Sequence, residues 1–389
     1  MVEPDLRRIE RPASKLPNVG TTIFTVMSRL AAECGAINLA QGFPDFPCSE
    51  ELVELVSRAM RAGHNQYAPM EGLMALREQI AGKTERCYGH APDPVTEITV
   101  TCGATEALFA AVAAVVGPGD EVIVLEPSYD SYLPAIELQG GKAVPVALRP
   151  ADYSVDWPEV KAAVSERTRL IILNSPHNPT GAILRAEDLA ELKAIVSATN
   201  VLVLSDEVYE HLVFDGEQHR SLLGDADLRA RSLVVSSFGK TFHTTGWKTG
   251  YCVAPAWLTT EFRKVHQFLT FSNFTPVQYA LAEYLKEPAH YQNLPDFYQA
   301  KRRAFGECMK ATPFRLLPSY GTYFQLASFD HLSNESDVDF AVRLTREAGV
   351  AAIPVSVFYR DHTDHRVIRF CFAKRDETIE KAAERLSRF

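Results

Sequence analysis

Four short motifs, each following an apolar run, contain the side chains that could do chemistry. In chain order they provide Gly103 in a turn, Asn178 in a second turn, Asp206 with Tyr209, and Lys240. Free N–H groups at a helix start bind anions, amides and phenols donate hydrogen bonds, and a carboxylate pairs with a cation. A lysine amine becomes nucleophilic when its surroundings lower its pKa. Together these groups predict a site for an anionic, aromatic, carbonyl-bearing cofactor.

Taken singly, each of these residues has an ordinary structural explanation. Lys240 alone would be a solvated loop lysine, and Asp206 could cap a helix N-terminus. Asn178 lies in a turn shaped by Pro179, and His177 beside it is interpreted as a loop residue rather than a base. The combination of all four motifs favours a shared site.

One alternative comes from Ser237 and Lys240, which with Lys248-Thr249-Gly250 resemble the SxxK and KTG elements of penicillin-binding proteins. Here the second lysine follows the first by only eight residues (248 − 240), and no SDN lies between them. We interpret the match as a coincidence, which penicillin labelling of Ser237 would test.

The elements that must position these side chains are short strands alternating with helices. The predicted strands are Ile98–Thr101, Glu121–Leu125, Leu170–Leu173, Val201–Ser205 and Leu233–Ser236, and the predicted helices include Thr105–Val116, Asp156–Val164 and Ala186–Ser197. This alternation predicts an α/β fold with a mostly parallel central sheet covered by helices. Ligands bind such sheets at the carboxyl ends of the strands.

The C-terminal third predicts a smaller α+β unit. We expect an N-terminal arm and part of the small domain in residues 1–47, a large domain in 48–285 and a C-terminal small domain in 286–389. The small-domain elements are a helix from about Pro276 past Tyr284, strands at Gly321–Leu326, Val350–Pro354 and Val367–Phe372, and helices at Val338–Glu347 and from Glu377.

Composition excludes several classes of protein. The 389 residues are 46% hydrophobic with a net charge of −9, which argues against nucleic acid or an anionic membrane as a partner. The seven cysteines form no CxxC pair, so neither disulfides nor a metal site is expected. The N-terminal MVEPDLRRIERP lacks an apolar signal core, and no apolar run is long enough to span a membrane. A cytoplasmic protein is expected.

Longer stretches around these motifs resemble the pyridoxal 5′-phosphate (PLP) dependent aminotransferases of fold-type I, class I/II. The matching stretches are GATEAL, EPSYDSY, NSPHNPTG, SDEVYEH and SSFGKTFHTTGWKTGYCVAP. The resemblance extends from about Asn38 to Arg369, and within the family it is strongest to methionine aminotransferases and the kynurenine/glutamine transaminases. It implies an enzyme that moves an amino group from an amino acid to a 2-oxo acid with ping-pong kinetics.

The resemblance also implies roles for individual residues. Lys240 would bind PLP covalently as a Schiff base and would be the catalytic base. Asp206 would hold the protonated ring nitrogen. Tyr209 and Asn178 would bond the ring oxygen, and Tyr129 would stack on the ring.

The cofactor phosphate and the substrate have separate predicted ligands. For the phosphate these are Gly103, Ala104, Thr105, Ser237 and Lys248. Many relatives have arginine in place of Lys248; lysine keeps the charge but loses the bidentate fork. Tyr67 matches a tyrosine that reaches the phosphate of the neighbouring subunit, which implies a homodimer with shared active sites. Arg369, with Gly42 and Asn178, would bind the substrate carboxylate; the alternative for this arginine is a structural ion pair.

The donor is predicted from the uncharged, aromatic stretch 267–274. It lacks the second arginine expected for an acidic donor, so neutral bulky donors are predicted: methionine, aromatic amino acids, glutamine or kynurenine. The resemblance to methionine aminotransferases puts methionine first. A PLP-dependent cysteine-conjugate β-lyase remains open, because it would share the fold and the lysine. A cofactor-binding regulator is disfavoured, since no added DNA-binding segment is expected outside the matched region.

Overall fold

The structure, a computed structural model, describes residues 13–389. Residues 1–12, which hold the charged N-terminal stretch and the start of the predicted arm, lie outside the described residues.

The described strands form a large sheet, a four-stranded sheet and a two-stranded pair. In chain order they are β1 (Ile37–Asn38), β2 (Ile98–Thr101), β3 (Glu121–Glu126), β4 (Lys142–Ala147), β5 (Thr168–Asn174), β6 (Leu202–Asp206), β7 (Ser232–Ser237), β8 (Gly250–Val253), β9 (Arg315–Leu316), β10 (Phe324–Ser328), β11 (Val350–Ala351), β12 (Ile353–Pro354) and β13 (Val367–Cys371).

Helices flank these strands on both sides. Those of the described range are α1 (Ile23–Cys34), α2 (Glu50–Arg61), α3 (Met74–Tyr88), α4 (Gly103–Val115), α5 (Tyr132–Leu138), α6 (Trp157–Ala163), α7 (Ala186–Ala198), α8 (Ala226–Arg229), α9 (Phe238–Thr241), α10 (Ala256–Leu269), α11 (Thr275–Tyr284), α12 (Ala289–Gln292), α13 (Leu294–Met309), α14 (Asp337–Glu347) and α15 (Asp376–Leu386). No described helix is long and apolar enough to cross a membrane.

The large sheet has the strand order β2-β8-β7-β6-β5-β3-β4 in the described residues. Only β8 runs antiparallel to its neighbours β2 and β7, while the other pairs are parallel. The predicted α/β class and mostly parallel sheet are therefore confirmed, as are all five predicted strands and three predicted helices to within two residues.

Burial on both faces explains why the central strands read as continuous apolar runs. Along β6 and β7, Val203 and Val234 belong to the core on one face, and Leu204 and Val235 to the core on the other. Because side chains alternate across a strand, apolar residues at every position require cover on both sides. Helices such as α4 and α10 provide that cover.

The C-terminal elements form a second, smaller sheet with helices of their own. Strands β12, β13, β10 and β9 make an antiparallel sheet, which α13, α14 and α15 accompany in sequence. β1 pairs in parallel with β11, with Ile37 opposite Val350, so the segment before β2 contacts the C-terminal elements. Three predictions differ from the structure. Helix α11 ends at Tyr284, and the predicted strand Val350–Pro354 is divided between β11 and β12, which belong to different sheets. Strand β10 begins at Phe324, whereas Gly321 forms an isolated antiparallel bridge with Val213.

Candidate active site

The four motifs meet at one edge of the large sheet. Asn174 at the end of β5 lies opposite Asp206 at the end of β6. Ser237 at the end of β7 lies opposite Gly250, which also pairs with Thr101 at the end of β2. The carboxyl ends of β2, β5, β6 and β7 thus share an edge, the usual ligand position in such sheets.

Lys240 lies in the single turn of α9 directly after β7. Its Nζ donates to the Tyr323 hydroxyl at 3.0 Å and to the Gly42 carbonyl at 3.2 Å. The amine also lies 5.6 Å from the centre of the Tyr209 ring. Burial lowers the pKa of Lys240 to about 8, so about a tenth of the amine is unprotonated at pH 7, far more than for an ordinary lysine. A lysine in this state can act as a nucleophile and a base.

Asp206 is a buried carboxyl group whose neighbours are mostly neutral. The Tyr132 hydroxyl donates to its Oδ2 at 2.7 Å, and the Asn174 amide donates to its backbone oxygen at 2.8 Å. Burial raises the pKa of Asp206 to about 6 despite the bond from Tyr132. A turn rather than a helix follows β6, and only Val208 N–H reaches the carboxylate, at 3.4 Å. The helix-cap explanation therefore does not account for this residue.

Arg369 lies on β13 with its side chain fully buried. Nη1 donates to Asn178 Oδ1 at 2.6 Å and Nη2 to the Ala40 carbonyl at 3.2 Å, while Nε has no partner in the described residues. The guanidinium stacks 3.9 Å from the centre of the Phe324 ring. Burial lowers the pKa of Arg369 to about 10. Since no described carboxylate forms an ion pair with it, this cation is available to an anionic ligand.

The Gly42 loop closes the space between Lys240 and Arg369. The Gly42 carbonyl accepts from the Tyr323 hydroxyl at 2.6 Å as well as from Lys240. A Cβ at Gly42 would lie 2.7 Å from Phe324 Cζ, so no larger residue fits without movement. This glycine lets the loop backbone approach the amine directly.

An anion cradle lies at the N-terminus of α4. Gly103 has φ +76°, and a Cβ there would lie 3.3 Å from Lys248 Nζ. A Cβ at Gly250 would lie 3.0 Å from Ala104 N, so two glycines keep the space around these donors open. The N-terminus of the 13-residue helix α4, where the helix dipole is positive, lies at the same place. The arrangement fits a phosphate.

The remaining predicted ligands occupy different positions around this cradle. Tyr129 lies within hydrogen-bond reach of Thr105, and burial raises its pKa to about 12. Ser237 is buried at the end of β7. The cradle at the start of α4, Asp206 at the end of β6 and Lys240 directly after β7 share one edge of the sheet. These residues fit an aromatic cofactor that carries a phosphate and a carbonyl group.

Tyr67 is the predicted residue that the chain does not bring to this group. Its side chain is 83% exposed and contacts Phe271 edge-on, with ring centres 5.4 Å apart. Phe268 nearby is 86% exposed.

Sequence reasoning missed Tyr132 and Tyr323, which bond Asp206 and Lys240. Tyr132 lies within the EPSYDSY stretch, which offered a signal, whereas Tyr323 lies outside every motif. His177 is buried, bonds Thr180 Oγ1 at 2.7 Å, and has its pKa lowered to about 3 by burial, so it stays neutral in the loop.

A groove of about 920 Å³ adjoins the site. The start of α1, the residues after Tyr129 and the segment 357–362 line it. Phe358 in this lining contacts the Arg369 guanidinium, 5.4 Å from its ring centre, although Arg369 itself does not line the groove. It also holds the charged side chains of Asp130, Glu137 and Arg360.

Comparison with known proteins gives one consistent result. The family model "Aminotransferase class I and II" matches residues 35–386. A methionine aminotransferase from Escherichia coli is 54% identical over 376 residues, covering 96% of this chain and 97% of its own. Kynurenine–oxoglutarate transaminase 1 from Homo sapiens is 31% identical, covering 97% and 98%.

Solved structures agree with these relatives. The structure of an Escherichia coli protein identified as a methionine aminotransferase superposes with a TM-score of 0.96 at 53% identity, covering 98% of this chain and 100% of the other. An N-succinyldiaminopimelate aminotransferase from Mycobacterium tuberculosis gives 0.93 at 40% identity, covering 97% and 99%.

Proposed function

The chain belongs to the class I and II aminotransferase family, and from this premise we propose that it transfers the amino group of a neutral, bulky amino acid to a 2-oxo acid. Methionine is the first donor we propose, because the similarity to a methionine aminotransferase covers nearly the whole chain. The observation that carries the reaction is the amine of Lys240, bonded to Tyr323 and the Gly42 carbonyl and lowered in pKa, in a site that also contains the buried Asp206 and Arg369.

PLP is the cofactor that we propose for this site. Lys240 would hold it covalently, Asp206 its ring nitrogen, and the α4 N-terminus with Ser237 and Lys248 its phosphate. Tyr209 and Asn178 would bond the ring oxygen, and Tyr129 would cover the ring. When bound, PLP supplies an electron-accepting ring that stabilises the charge left after loss of the substrate Cα proton.

The chain's own residues then bind the substrate and move the proton. Arg369 offers its partly unsatisfied donors to the substrate α-carboxylate, and Asn178, already bonded to Nη1, fixes the position of the guanidinium. Lys240 takes the Cα proton and later returns it, as its lowered pKa allows. The Gly42 carbonyl and the Tyr323 hydroxyl hold the amine in place through their bonds to Nζ.

Three features of the molecule as a whole belong to the same proposal. The chain divides into 1–47 with 286–389 and a large domain at 48–285, in line with the pairing of β1 and β11. It forms a homodimer in which Tyr67 reaches the partner's phosphate cradle, in line with its exposure. The scattered, unpaired cysteines support a cytoplasmic location.

Replacing Lys240 tests the cofactor and the base together. Lys240→Ala is expected to lose turnover and the absorbance band of the covalently held cofactor, because no other described amine lies in this position. Lys286→Ala is the control, since that lysine is exposed and bonds only the neighbouring Glu283. Full activity in the Lys240 variant would refute the assignment.

A donor panel tests the substrate. Methionine and phenylalanine are expected to exceed aspartate and glutamate in kcat/KM, and N-succinyldiaminopimelate belongs in the panel because of the mycobacterial relative. Activity with several neutral donors is expected, because an apolar pocket discriminates between them by only about 1–3 kcal/mol for each methylene group. A β-lyase would instead release pyruvate and ammonia from cysteine conjugates without a 2-oxo acid.

A further inference from the structure

His266 on α10 is a fully buried histidine that the reaction described above does not use. Its Nδ1 lies 2.9 Å from Oε1 of Glu106, in the first turn of α4, and its Nε2 lies 3.0 Å from the Met70 carbonyl oxygen. The Thr270 hydroxyl is farther from Nδ1, at 3.3 Å. Because a carboxylate and a carbonyl oxygen only accept hydrogen bonds, both ring nitrogens must donate. A histidine with a proton on each nitrogen is an imidazolium, so His266 carries a positive charge.

Glu106 lies beside the N–H groups proposed to hold the cofactor phosphate. Its Oε2 accepts from the Cys102 N–H at 3.1 Å, and Cys102 directly precedes Gly103 and Ala104 of the cradle. The Glu106 side chain is only 8% exposed, so water screens its charge poorly. An uncompensated carboxylate here would repel a phosphate group, because like charges a few ångströms apart repel strongly in a poorly hydrated space. It would also oppose the attraction of the helix N-terminus for an anion.

The other cations around this helix end have different partners. Arg263, one turn before His266 on α10, donates to the Thr99 hydroxyl at 3.0 Å and to a carbonyl of β2 at 2.7 Å. Lys248 Nζ faces the cradle and is itself a proposed phosphate ligand. Within the described part of the chain, His266 is thus the one cationic side chain that forms an ion pair with Glu106.

We propose that His266 is a positioning residue of the phosphate site, which holds Glu106 on the Cys102 N–H and neutralises its charge. The inference rests on the proposed function, in which the α4 N-terminus binds the cofactor phosphate. The pair has no net charge, so the phosphate meets only the attraction of the cradle. The second ring nitrogen ties Met70, three residues after Tyr67, to the same imidazolium.

The test isolates the phosphate by titrating each cofactor-free protein with PLP and with pyridoxal, which lacks the phosphate. In His266→Asn the amide can still donate to Glu106 but carries no charge, so the ratio of PLP to pyridoxal affinity is expected to fall about tenfold or more. Combining His266→Asn with Glu106→Gln leaves no unpaired charge and should restore the ratio to within about threefold of wild type. His290→Asn is the matched control and should leave the ratio unchanged, because that imidazole also contacts a carbonyl and a carboxylate, those of Tyr284 and Glu51, but on α11 and α2.

Glu106→Gln alone gives a second readout that does not depend on the folding of the His266 variant. Its amide oxygen can still accept from the Cys102 N–H, so a ratio equal to or above the wild-type value is expected. The role of His266 would be overturned by a lower ratio in that variant, by an unchanged ratio in His266→Asn, or by a double variant as weak as the single one. Equal wild-type affinities for PLP and pyridoxal would instead overturn the proposed phosphate site itself.

Discussion

In the cofactor-free protein, burial disfavours the ionised form of Asp206. Its folded pKa of about 6 lies above the ordinary value for an aspartate, because the residue is buried. A raised carboxyl pKa means that the folded protein binds the proton more tightly than the unfolded chain does. Below about pH 4, Asp206 therefore costs the cofactor-free protein no stability. As the pH rises from about 4 to 6 the free energy of unfolding decreases, and above about pH 6 it stays at this lower value.

Asp206→Asn is accordingly expected to stabilise the cofactor-free protein at pH 8, by about 1–3 kcal/mol in the free energy of unfolding. The gain should shrink by about 1 kcal/mol at pH 5, where wild-type Asp206 is largely protonated. Urea unfolding at the two pH values measures both quantities. The same variant should lose activity, because the cation proposed to offset the penalty, the cofactor ring nitrogen, would have no carboxylate partner. Equal gains at both pH values would contradict the raised pKa.

Individual side chains at the strand ends were predictable, and their partners were not. Lys240, Asp206 and Asn178 follow apolar runs, so their place at the sheet edge follows from the pattern of the sequence. Tyr132 is 74 residues from Asp206, and Tyr323 is 83 residues from Lys240. Such contacts depend on how separate elements pack, which no local pattern records.

The phosphate site that we propose at the N-terminus of α4 requires that Gly103 stay small. Alanine at Gly103 would carry two costs: a positive φ, at about 1–2 kcal/mol, and a methyl group that displaces the Lys248 ammonium. Gly89 provides a matched control, since it has φ +74° and open space around its Cβ position. Both alanine variants should lose similar stability, while only Gly103→Ala should bind PLP more weakly, by about tenfold or more. Titration of the cofactor-free proteins with PLP measures these affinities. Equal affinities of the two variants would show that the phosphate does not bind at this helix end.

Helix α3 is tied to the segment after β6 by a buried ion pair. Lys83 Nζ lies 2.6 Å from Glu210 Oε2 and also donates to the Tyr251 hydroxyl at 2.9 Å, with both charged side chains almost inaccessible. Burial opposes ionisation of Glu210, but the Lys83 charge prevails and holds its pKa well below the usual range. Glu210 directly follows Tyr209, so the pair anchors the loop that carries a proposed cofactor ligand.

Lys83→Met should therefore destabilise the protein by about 3–5 kcal/mol at pH 7, because it leaves an unpaired buried carboxylate. A depressed carboxyl pKa contributes stability above the ordinary glutamate value near 4, and that contribution disappears as the pH falls. The gap between variant and wild type should narrow below about pH 4. Lys310→Met, at an exposed pair with Glu307, should cost less than about 0.5 kcal/mol. Denaturant unfolding across pH decides between these expectations.

Among the secondary-structure elements, the runs of apolar residues predicted the buried strands of the large sheet but not β4 and β8, whose apolar runs are shorter or interrupted. β4 lies at the sheet edge, alternates in exposure and contains Pro145, which an edge strand tolerates because one side needs no pairing. β8 is only four residues long and comes just after the GKTFHTTGWK stretch, which the sequence analysis interprets as a motif of site residues and not as the start of a strand. Its antiparallel direction depends on the path of the chain after β7, which local propensity does not determine.

For the whole molecule, one exposed surface stands out. Tyr67 and Phe268 are more than four-fifths exposed, and Phe271 and Phe274 are about half exposed. Two segments far apart in sequence join in this patch through the contact of Tyr67 with Phe271. Soluble monomers rarely expose large contiguous apolar patches, so the surface is suited to burial against a second copy of the chain.

Phe268→Asp combined with Phe271→Asp should consequently shift the protein from dimer to monomer at micromolar concentration, because each carboxylate would have to be buried unpaired. Leu332→Asp, at an exposed apolar residue in the C-terminal region, should leave the dimer intact. Sedimentation velocity measures the assembly, and PLP titration measures its consequence. If Tyr67 completes the partner's phosphate site, the monomer must also bind PLP more weakly than the control does. A dimer that survives both aspartates would place the interface elsewhere, and a monomer with undiminished PLP affinity would show that each chain completes its own site.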